Sequence, residues 1–391
     1  MLRKISMGAL VAFCASFSSP SGLEGREGFL PCWDNSSSDC CEETNRWWLD
    51  AEYLYWTLKD SPEHVPLVIE GTVPGGNVVL GGKKIDTKWR SGGSFTLGYW
   101  FDDSKCLGGE ISYMFLPDAT KTKSVFSDAS STSSFLSVPF FNVQTGAENT
   151  IQIAFPGVYS GRAKLKLKNS MQSAEMNVVA TLPYDCEWSF GLLAGFRYWN
   201  FNERLTFDTD SPFIPPFTAD VYMTKDSFHT KNNFYGGQIG GWIDYHCNQF
   251  FCRLKGKIAL GAMHQESVIK GELLTNDFNG FGTVQTFPGG YFALPSNIGH
   301  HKSNCFAVIP EANITFGYEV TDVLRLQVGY TFLYVNNVLW AGKQISRNIS
   351  PSQAISYTST PVLVGEASPK GSLKSGNFWA QGINVGLEFD F

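Results

Sequence analysis

The sequence predicts an all-β protein: a transmembrane antiparallel β-barrel of about ten strands, with short periplasmic turns and long extracellular loops. Three observations predict this fold. Apolar and polar residues alternate in many segments, short connections alternate with long ones along the chain, and the N-terminus is typical of an exported chain. The alternation indicates strands with one side in lipid and the other in a polar lumen.

The C-terminal segment shows the alternation most clearly. One face carries Ile383, Val385, Leu387, Phe389 and Phe391, and the other carries Asn384, Gly386, Glu388 and Asp390. The arrangement ends on an aromatic residue, and it resembles the signal through which bacterial outer-membrane barrels are recognised for assembly. We expect Asn384, Gly386, Phe389 and Phe391 to form this signal, with the barrel assembly machinery as a partner.

Nine further segments repeat the pattern, and each has about the length that a tilted strand needs to cross a bilayer. They are residues 47–58, 92–102, 106–116, 171–182, 187–199, 232–246, 250–263, 305–318 and 323–335. An even number of strands places both termini on the periplasmic side. A count of twelve or more stays open, because weaker strands such as residues 135–143 lie within long connections.

The connections between these segments alternate in length along the whole chain. Tight polar turns at residues 102–105, 183–185, 247–249 and 319–322 alternate with long segments at residues 58–91, 117–170, 200–231, 264–304 and 336–377. Short periplasmic turns and long outer loops are typical of outer-membrane barrels. A soluble β-sandwich would also show alternating strands, but it would require neither outward aromatic residues nor this order of connections.

The N-terminus predicts export. Arg3 and Lys4 precede a short apolar stretch at residues 7–17, and small residues follow at 18–22. The stretch is too short for a membrane helix, so we expect a signal peptide at residues 1–22, a cysteine-containing periplasmic segment at 23–46 and the barrel at 47–391. The predicted location is the outer membrane, with its lipid around the barrel. The net charge of −6 gives no reason to expect nucleic acid as a partner.

Nine cysteines in an exported chain favour disulfides over zinc sites. Cys14 leaves with the predicted signal peptide, and Cys305 lies near the outer rim. The disulfide candidates, all on the periplasmic side of the predicted topology, are Cys32, Cys40, Cys41, Cys106, Cys186, Cys247 and Cys252. Two uses stay open: staples within the chain, and links to neighbouring envelope proteins. We expect no metal and no other cofactor, because the sequence has no C-x-x-C pair.

Twelve charged residues fall on the predicted lumen face of the strands. They are Asp50, Glu52, Glu110, Glu175, Arg197, Asp244, Arg253, Lys255, Lys257, Glu311, Arg325 and Glu388. They form either a pore lining that biases ion passage or a network of ion pairs that fills a narrow barrel. Ten strands lie near the closed end of the range of barrel sizes, so any conductance should be small.

The sequence does not predict an enzyme. Asp244 and His246 lie two residues apart on one face, and such a pair can activate a water molecule. They border the turn at Cys247 on the periplasmic side, whereas the sites of surface proteases lie at the outer rim. Neither a G-x-S-x-G elbow nor an H-E-x-x-H motif is present, and we name no catalytic residue.

Three lysines alternate with apolar residues just before the fourth predicted membrane strand. Lys164, Lys166 and Lys168 share one face, and Leu165 and Leu167 share the other. This ladder either contacts anionic lipopolysaccharide or is a solvated part of an outer loop. Both interpretations stay open.

Several sequence blocks are similar, in order, to those of an outer-membrane barrel family from planctomycetes and chlamydia-like bacteria. The blocks are residues 48–56, 91–93, 97–100, 174–177, 192–198, 202–203, 233–238, 256–261, 306–311, 328–331 and 378–391. The resemblance implies a porin-like channel for small solutes or a major surface protein. The alternative is a non-conducting surface barrel whose long loops, at residues 117–170 and 336–377, mediate adhesion and whose cysteines cross-link the envelope. The chain departs from the family at Trp340-Ala341-Gly342, where a basic residue and a proline are expected.

Overall fold

The computed structural model describes residues 45–183, 187–215, 221–276, 282–371 and 373–391. The predicted signal peptide, most of the predicted periplasmic segment with Cys32, Cys40 and Cys41, and Cys186 lie outside these residues. In the part that is described, no helix is long and apolar enough to span a membrane.

The described residues form sixteen strands and two short 3-10 turns. In chain order the strands are β1 (Trp47–Leu58), β2 (Pro66–Glu70), β3 (Asn77–Gly81), β4 (Arg90–Trp100), β5 (Leu107–Ser127), β6 (Leu136–Asn142), β7 (Ala147–Ala154), β8 (Gly161–Pro183), β9 (Trp188–Asp210), β10 (Tyr222–Cys247), β11 (Phe250–Thr275), β12 (Gln285–Pro288), β13 (Gly299–Thr321), β14 (Leu324–Leu339), β15 (Asn348–Ile349) and β16 (Ser375–Asp390). The 3-10 turns are Gly342–Gln344 and Pro351–Gln353.

Ten of these strands close into one antiparallel barrel, which confirms the predicted fold class. Their order around the barrel is β1-β4-β5-β8-β9-β10-β11-β13-β14-β16, and β16 pairs again with β1. The C-terminal strand closes the ring, because Trp48 lies opposite Asp390 and Leu58 lies opposite Ala380. Short turns join neighbouring strands at one end of the barrel, as predicted.

The outward face of the barrel carries an apolar band between two aromatic girdles. Trp47, Trp188 and Tyr318 lie near the end with the short turns. The outer girdle consists of Tyr55, Trp89, Tyr113, Tyr198 and Tyr235. Polar side chains such as Asn233, His264 and Asn304 follow the outer girdle on the same outward face. This band marks the membrane-spanning segments of the strands.

Several strands run far beyond the outer girdle, where the sequence predicts loops. Strands β5, β8, β9, β10, β11 and β13 have 21, 23, 23, 26, 26 and 23 residues, although about 10 suffice to cross a bilayer. We call the parts of these strands beyond the girdle the outer extension: residues 119–127, 161–170, 200–210, 222–233, 264–275 and 299–304. Much of the predicted loops at 117–170, 200–231 and 264–304 is therefore strand.

A second sheet accompanies the outer extension. Its order is β15-β6-β2-β3, and β7 pairs with β6. The weak strand anticipated at residues 135–143 exists as β6, but it lies in this second sheet and adds nothing to the barrel. An apolar core joins the sheet to the inward face of the outer extension. Leu67, Val138 and Phe140 contribute from the sheet, and Leu165 and Phe228 contribute from the barrel strands.

Candidate functional site

The interior of the barrel is the candidate site. All twelve charged residues predicted to face the lumen line two interior cavities of about 320 and 140 Å³. The larger cavity lies toward the end with the short turns, and the smaller one lies nearer the middle of the membrane band. The chemistry of the site depends on how these charges are paired.

Four of the charges form a compact cluster near the middle of the barrel. Arg197 Nη2 lies 2.7 Å from Glu311 Oε2 and 3.5 Å from Glu175 Oε1. Lys257 Nζ lies 3.0 Å from Glu175 Oε2 and 2.9 Å from Glu311 Oε1. Gln238 also donates to Glu175, at 2.9 Å. Two positive and two negative charges therefore neutralise each other, which is the arrangement that offsets the cost of burial. We call these four residues the central charge cluster.

A second group of paired charges lies toward the end of the barrel with the short turns. Arg253 donates to both carboxylate oxygens of Asp244, at 2.7 and 3.0 Å. Arg325 lies 2.6 Å from Glu388 and 3.0 Å from Asp390. Arg253 also lies 3.7 Å from Glu388, so the two arginines share one carboxylate. These contacts fix the side chains against the wall of the barrel.

Amides satisfy the acids that lack a close basic partner. Asp50 accepts a hydrogen bond from Gln327 at 2.6 Å. Asn384 donates to Glu52 at 3.3 Å, and Trp56 Nε1 donates to the same amide at 2.8 Å. Asn177 donates to Glu110 at 2.9 Å, while Lys255 lies 3.8 Å from Glu110. The sequence did not predict these amide partners, although Asn177, Gln238 and Gln327 each lie on the same face of their strands as the predicted lumen charges.

An aromatic layer closes the barrel beyond the central charge cluster. It consists of Trp199 and Phe201 on β9, Phe378 on β16 and Trp340, which follows β14. The ring centroid of Phe201 lies 4.8 Å from that of Phe378 and 5.4 Å from that of Trp340. Strands β9 and β16 are five positions apart around the barrel in either direction, so this contact crosses the full width of the lumen. Each of the four side chains is at most 1% exposed.

The segment that brings Trp340 into the lumen is held by side chains of the opposite wall. Asn232 on β10 donates to the carbonyl of Leu339 at 3.0 Å and accepts from its N–H at 2.7 Å. Glu203 on β9 accepts from the N–H of Ala341 at 2.8 Å. A Cβ added to Gly342 would lie only 2.6 Å from the Pro62 carbonyl oxygen, so glycine is needed for this close approach.

Two carboxyl groups beyond the outer girdle contact this inserted segment. Burial raises the pKa of Glu203 to about 7. Burial also raises the pKa of Glu63 to about 8, against the effect of the Val65 N–H and with a further rise from the nearby Glu203 carboxyl. Within the described residues, Glu63 Oε2 and Glu203 Oε1 have no hydrogen-bond partner. In both groups burial therefore shifts the equilibrium toward the neutral form.

A third buried carboxyl group anchors another connection inside the outer extension. Asp226 on β10 accepts hydrogen bonds from the backbone N–H groups of Tyr291, Phe292 and Ala293, at 2.9, 3.1 and 2.9 Å. Complete burial raises its pKa to about 7 in spite of these hydrogen bonds. A Cβ on Gly290 would lie 2.2 Å from Asp226 Oδ1, so this connection can reach the carboxyl group only with a glycine there.

The other predicted site residues occupy separate places. Asp244 is bound by Arg253, and His246 Nδ1 lies 3.7 Å from Glu319. Within the described ranges, no three His, Cys, Asp or Glu side chains form a group that could hold a metal ion. Cys106 directly precedes β5 and Cys247 ends β10, both at the end of the barrel with the short turns, while Cys305 packs against the core around the aromatic layer. None of Cys106, Cys247 and Cys305 is joined by a disulfide to another described residue.

A closed antiparallel barrel with an apolar outward band and a charged interior defines an outer-membrane β-barrel protein. Residues 47–391 match the model of the family described as "Putative beta barrel porin-7 (BBP7)". The chain belongs to this family. A search of curated proteins found no match.

Several solved structures show weak similarity to the chain. The outer membrane protease OmpT from Escherichia coli matches with a TM-score of 0.41 and 11% identity, over 90% of this chain and 100% of that one. A FadL homologue from Pseudomonas aeruginosa matches with a TM-score of 0.24 and 9% identity, over 89% and 91%. The Ralstonia pickettii toluene transporter TbuX matches with a TM-score of 0.22 and 8% identity, over 89% and 90%. At these scores no function is inferred from the likenesses.

Proposed function

We propose that this protein is a closed outer-membrane barrel that displays a folded domain at the cell surface. The contact between Phe201 and Phe378, 4.8 Å apart across the barrel, is the observation that supports this proposal best. An open porin needs a continuous polar path through its lumen. Here an aromatic layer without exposed surface lies across that path.

The central charge cluster is a second barrier below the aromatic layer. Arg197 and Lys257 each contact both Glu175 and Glu311, so an ion passing through the centre would have to displace paired charges. Separating buried partners leaves charges uncompensated in a dry interior, which is costly. We therefore assign these residues a structural role in filling the barrel.

The outer extension and the second sheet form the domain that the barrel displays. Its apolar core is built from strands and connections within segments that the sequence predicts to be loops. A rigid sheet presents side chains to the exterior more precisely than a flexible loop does. We propose that adhesion or construction of the envelope takes place at this domain.

Single-channel recording in planar bilayers tests the closed barrel. The full-length folded protein should give no current steps, and neither should the lumen variant Glu311→Lys if the barrel folds. Reproducible steps from the wild type, with ion selectivity altered by Lys255→Glu or Glu311→Lys, would contradict the proposal. Heat-modifiable migration in electrophoresis provides the control that each protein tested is folded.

A channel for small solutes is the second candidate, because one inserted segment helps to form the aromatic layer. Trp340 enters from the connection after β14, and the cavities of about 320 and 140 Å³ lie on the periplasmic side of the layer. If this segment moved away, a narrow polar path would remain. Current steps that appear only when the segment is released would favour such a gated channel.

Export and assembly complete the proposal. We propose that residues 1–22 direct export, that Asn384, Gly386, Phe389 and Phe391 are recognised by the assembly machinery, and that the periplasmic cysteines form staples or links to other envelope proteins. In the folded barrel Phe389 and Phe391 face outward, which leaves them accessible to a partner during insertion. Electrophoresis of intact envelopes without reductant distinguishes the two uses of the cysteines, because only envelope links remove the monomer band.

A further inference from the structure

The outward face of the outer extension is strongly basic on strands β8 to β11. This surface begins directly beyond the outer girdle and curves around the side of the barrel. Its basic residues are Lys164, Lys166 and Lys168 on β8, Arg204 on β9, Lys225, His229 and Lys231 on β10, and Lys270 on β11. The predicted lysine ladder is therefore one edge of a wider surface.

The strand register brings like charges side by side. The like charges are those of Lys168 and Arg204, which lie opposite each other, and the imidazole of His229 lies on the other side of Arg204. In the next row outward, Lys166 and Lys270 stand at the two ends, and the hydroxyl residues Thr206 and Ser227 lie between them. Like charges directly opposite each other destabilise a sheet unless something compensates them.

Acidic side chains compensate only part of this charge. Lys168 lies 2.8 Å from Asp118, Lys225 lies 3.5 Å from Glu272, and Asp208 lies opposite both Lys164 and Lys225. In contrast, Lys166, Arg204 and Lys270 form no ion pair with any residue that the structure describes. An excess of positive charge therefore remains around the two hydroxyl residues.

A groove of about 400 Å³ lies at this position, and its polar lining is Arg204, Thr206, Ser227, His229, Lys270 and the ion pair of Lys225 with Glu272. Arg204 Nη2 lies 3.3 Å from His229 Nδ1. Burial lowers the pKa of His229 to about 4, with further lowering by Arg204 and Lys231. The imidazole is thus neutral at pH 7 and can accept from Arg204, which leaves the other guanidinium N–H groups free to face the groove.

We propose that this groove binds a phosphate group of lipopolysaccharide in the outer leaflet. Amines, a guanidinium and hydroxyls are the donors that phosphate oxygens require, and charge-assisted hydrogen bonds to them are among the strongest in proteins. The ligand is held from the side, against the outward wall of the outer extension.

The height of the groove favours a glycolipid over an ordinary phospholipid. Arg204 lies six residues beyond Tyr198 of the outer girdle, which is about 20 Å along a strand and about 15 Å along the membrane normal for a strand tilted by about 40°. Phospholipid headgroups reach only about 5–8 Å beyond the hydrocarbon core. Phosphates carried on the sugars of lipopolysaccharide extend farther from the membrane and reach the groove.

The test compares lipid probes on full-length folded protein in detergent. The probes are a short-chain lipopolysaccharide with its phosphates, the same molecule after enzymatic dephosphorylation, and inorganic phosphate. We expect the phosphorylated form to bind at least on the order of tenfold more tightly than the dephosphorylated form. Equal binding of the two forms would overturn the proposal. If inorganic phosphate stabilised the folded protein as much as the phosphorylated lipopolysaccharide does, the groove would be a site for free anions.

Matched variants locate the site. The triple variant Lys166→Ala, Arg204→Ala, Lys270→Ala should lose the preference for the phosphorylated probe. The control variant Lys83→Ala, Lys84→Ala, Lys123→Ala removes the same charge from exposed lysines elsewhere and should keep it. Heat-modifiable migration establishes that both are folded. An unchanged preference in the first variant, or equal losses in both, would show that the groove does not bind the phosphate.

Discussion

The rings of Phe201 and Phe378 touch, with centroids 4.8 Å apart, although their strands stand on opposite sides of the barrel. Ten strands enclose a lumen that side chains can fill if large residues meet from opposite walls. Trp199 and Trp340 complete the closure from either side. The width of the barrel and the size of these four side chains therefore explain together how rings from opposite walls meet in the lumen.

Truncation of the aromatic layer should open a path through the barrel. In the double variant Phe201→Ala, Phe378→Ala, two buried rings are replaced by methyl groups, and each loss should cost about 3–5 kcal/mol of folding free energy. We expect small current steps in planar bilayers where the wild type gives none.

The matched control for this prediction is Phe316→Ala, which removes a lipid-facing ring of β13 that is 53% exposed. It should remain silent. Current steps from the control would show that the conductance arises from a damaged barrel wall, and a silent but folded double variant would mean that other residues keep the lumen closed.

The central charge cluster makes a paired prediction about stability. Arg197→Met leaves Glu175 and Glu311 with only Lys257 for compensation, so the barrel should lose about 3–5 kcal/mol. Adding Glu311→Leu restores neutrality, because Glu175 and Lys257 remain 3.0 Å apart. The double variant should recover most of the loss.

Urea unfolding of the barrel in lipid vesicles measures both variants of the cluster. Midpoints that fall further in the double variant than in the single variant would contradict the idea that charge balance sets the stability of the cluster. A midpoint near that of the wild type in both would mean that water compensates the charges.

The two-residue period accounts for what the sequence predicted well. Within the membrane band, lipid requires apolar side chains outside and the lumen accepts polar ones, so the period assigns a direction to each residue. Asp50, Glu175 and Glu311 could be placed on the inward face for this reason. Their partners could not be identified, because the pairing between distant strands, such as β9 with β13, depends on the register of the whole barrel.

Beyond the outer girdle the polarity of the strands is reversed, and this explains what the sequence analysis missed. Leu165, Phe207 and Phe228 point inward to an apolar core, while Lys166 and its neighbours point outward to water. This is the pattern of an ordinary half-buried sheet. A template for membrane strands stops matching there, so the extension was predicted as loops. The insertion of Trp340 had only an indirect signal, the departure from the family at Trp340-Ala341-Gly342.

Asp226 should keep the connection at residues 289–294 in its folded conformation. Two of its three hydrogen bonds reach Oδ2 and one reaches Oδ1, so Asp226→Asn keeps an acceptor for only part of them and Asp226→Ala keeps none. A typical hydrogen bond contributes about 0.5–1.5 kcal/mol, and one to a charged group contributes about 1.5–3 kcal/mol. We expect proteolytic cleavage and amide exchange near residues 289–294 to increase from wild type to Asn to Ala.

The barrel itself serves as the reference for the Asp226 series. Heat-modifiable migration should be unchanged in both variants, because Asp226 lies beyond the membrane-spanning part of β10. If the barrel and the connection lose stability together, the carboxyl group supports the whole extension rather than one connection.

The raised pKa of Glu63 predicts that the outer extension and the second sheet become less stable in alkaline solution. Its pKa is raised from 4.5 to about 8 by burial, so the folded protein holds this proton more tightly than the unfolded chain does. The stabilising contribution is complete below about pH 4.5 and is lost as the pH rises toward 8, and it amounts to a few kcal/mol at most.

The thermal midpoint of the wild type should therefore fall between pH 5 and pH 8.5 more than that of Glu63→Gln. Glu148→Gln, which changes an exposed carboxyl group on β7, should follow the wild type. If the thermal midpoint falls equally with pH in all three proteins, the Glu63 proton does not contribute to stability. A smaller fall in Glu63→Gln alone would mean that the stability of the inserted segment at Gly342 depends on the protonation of Glu63.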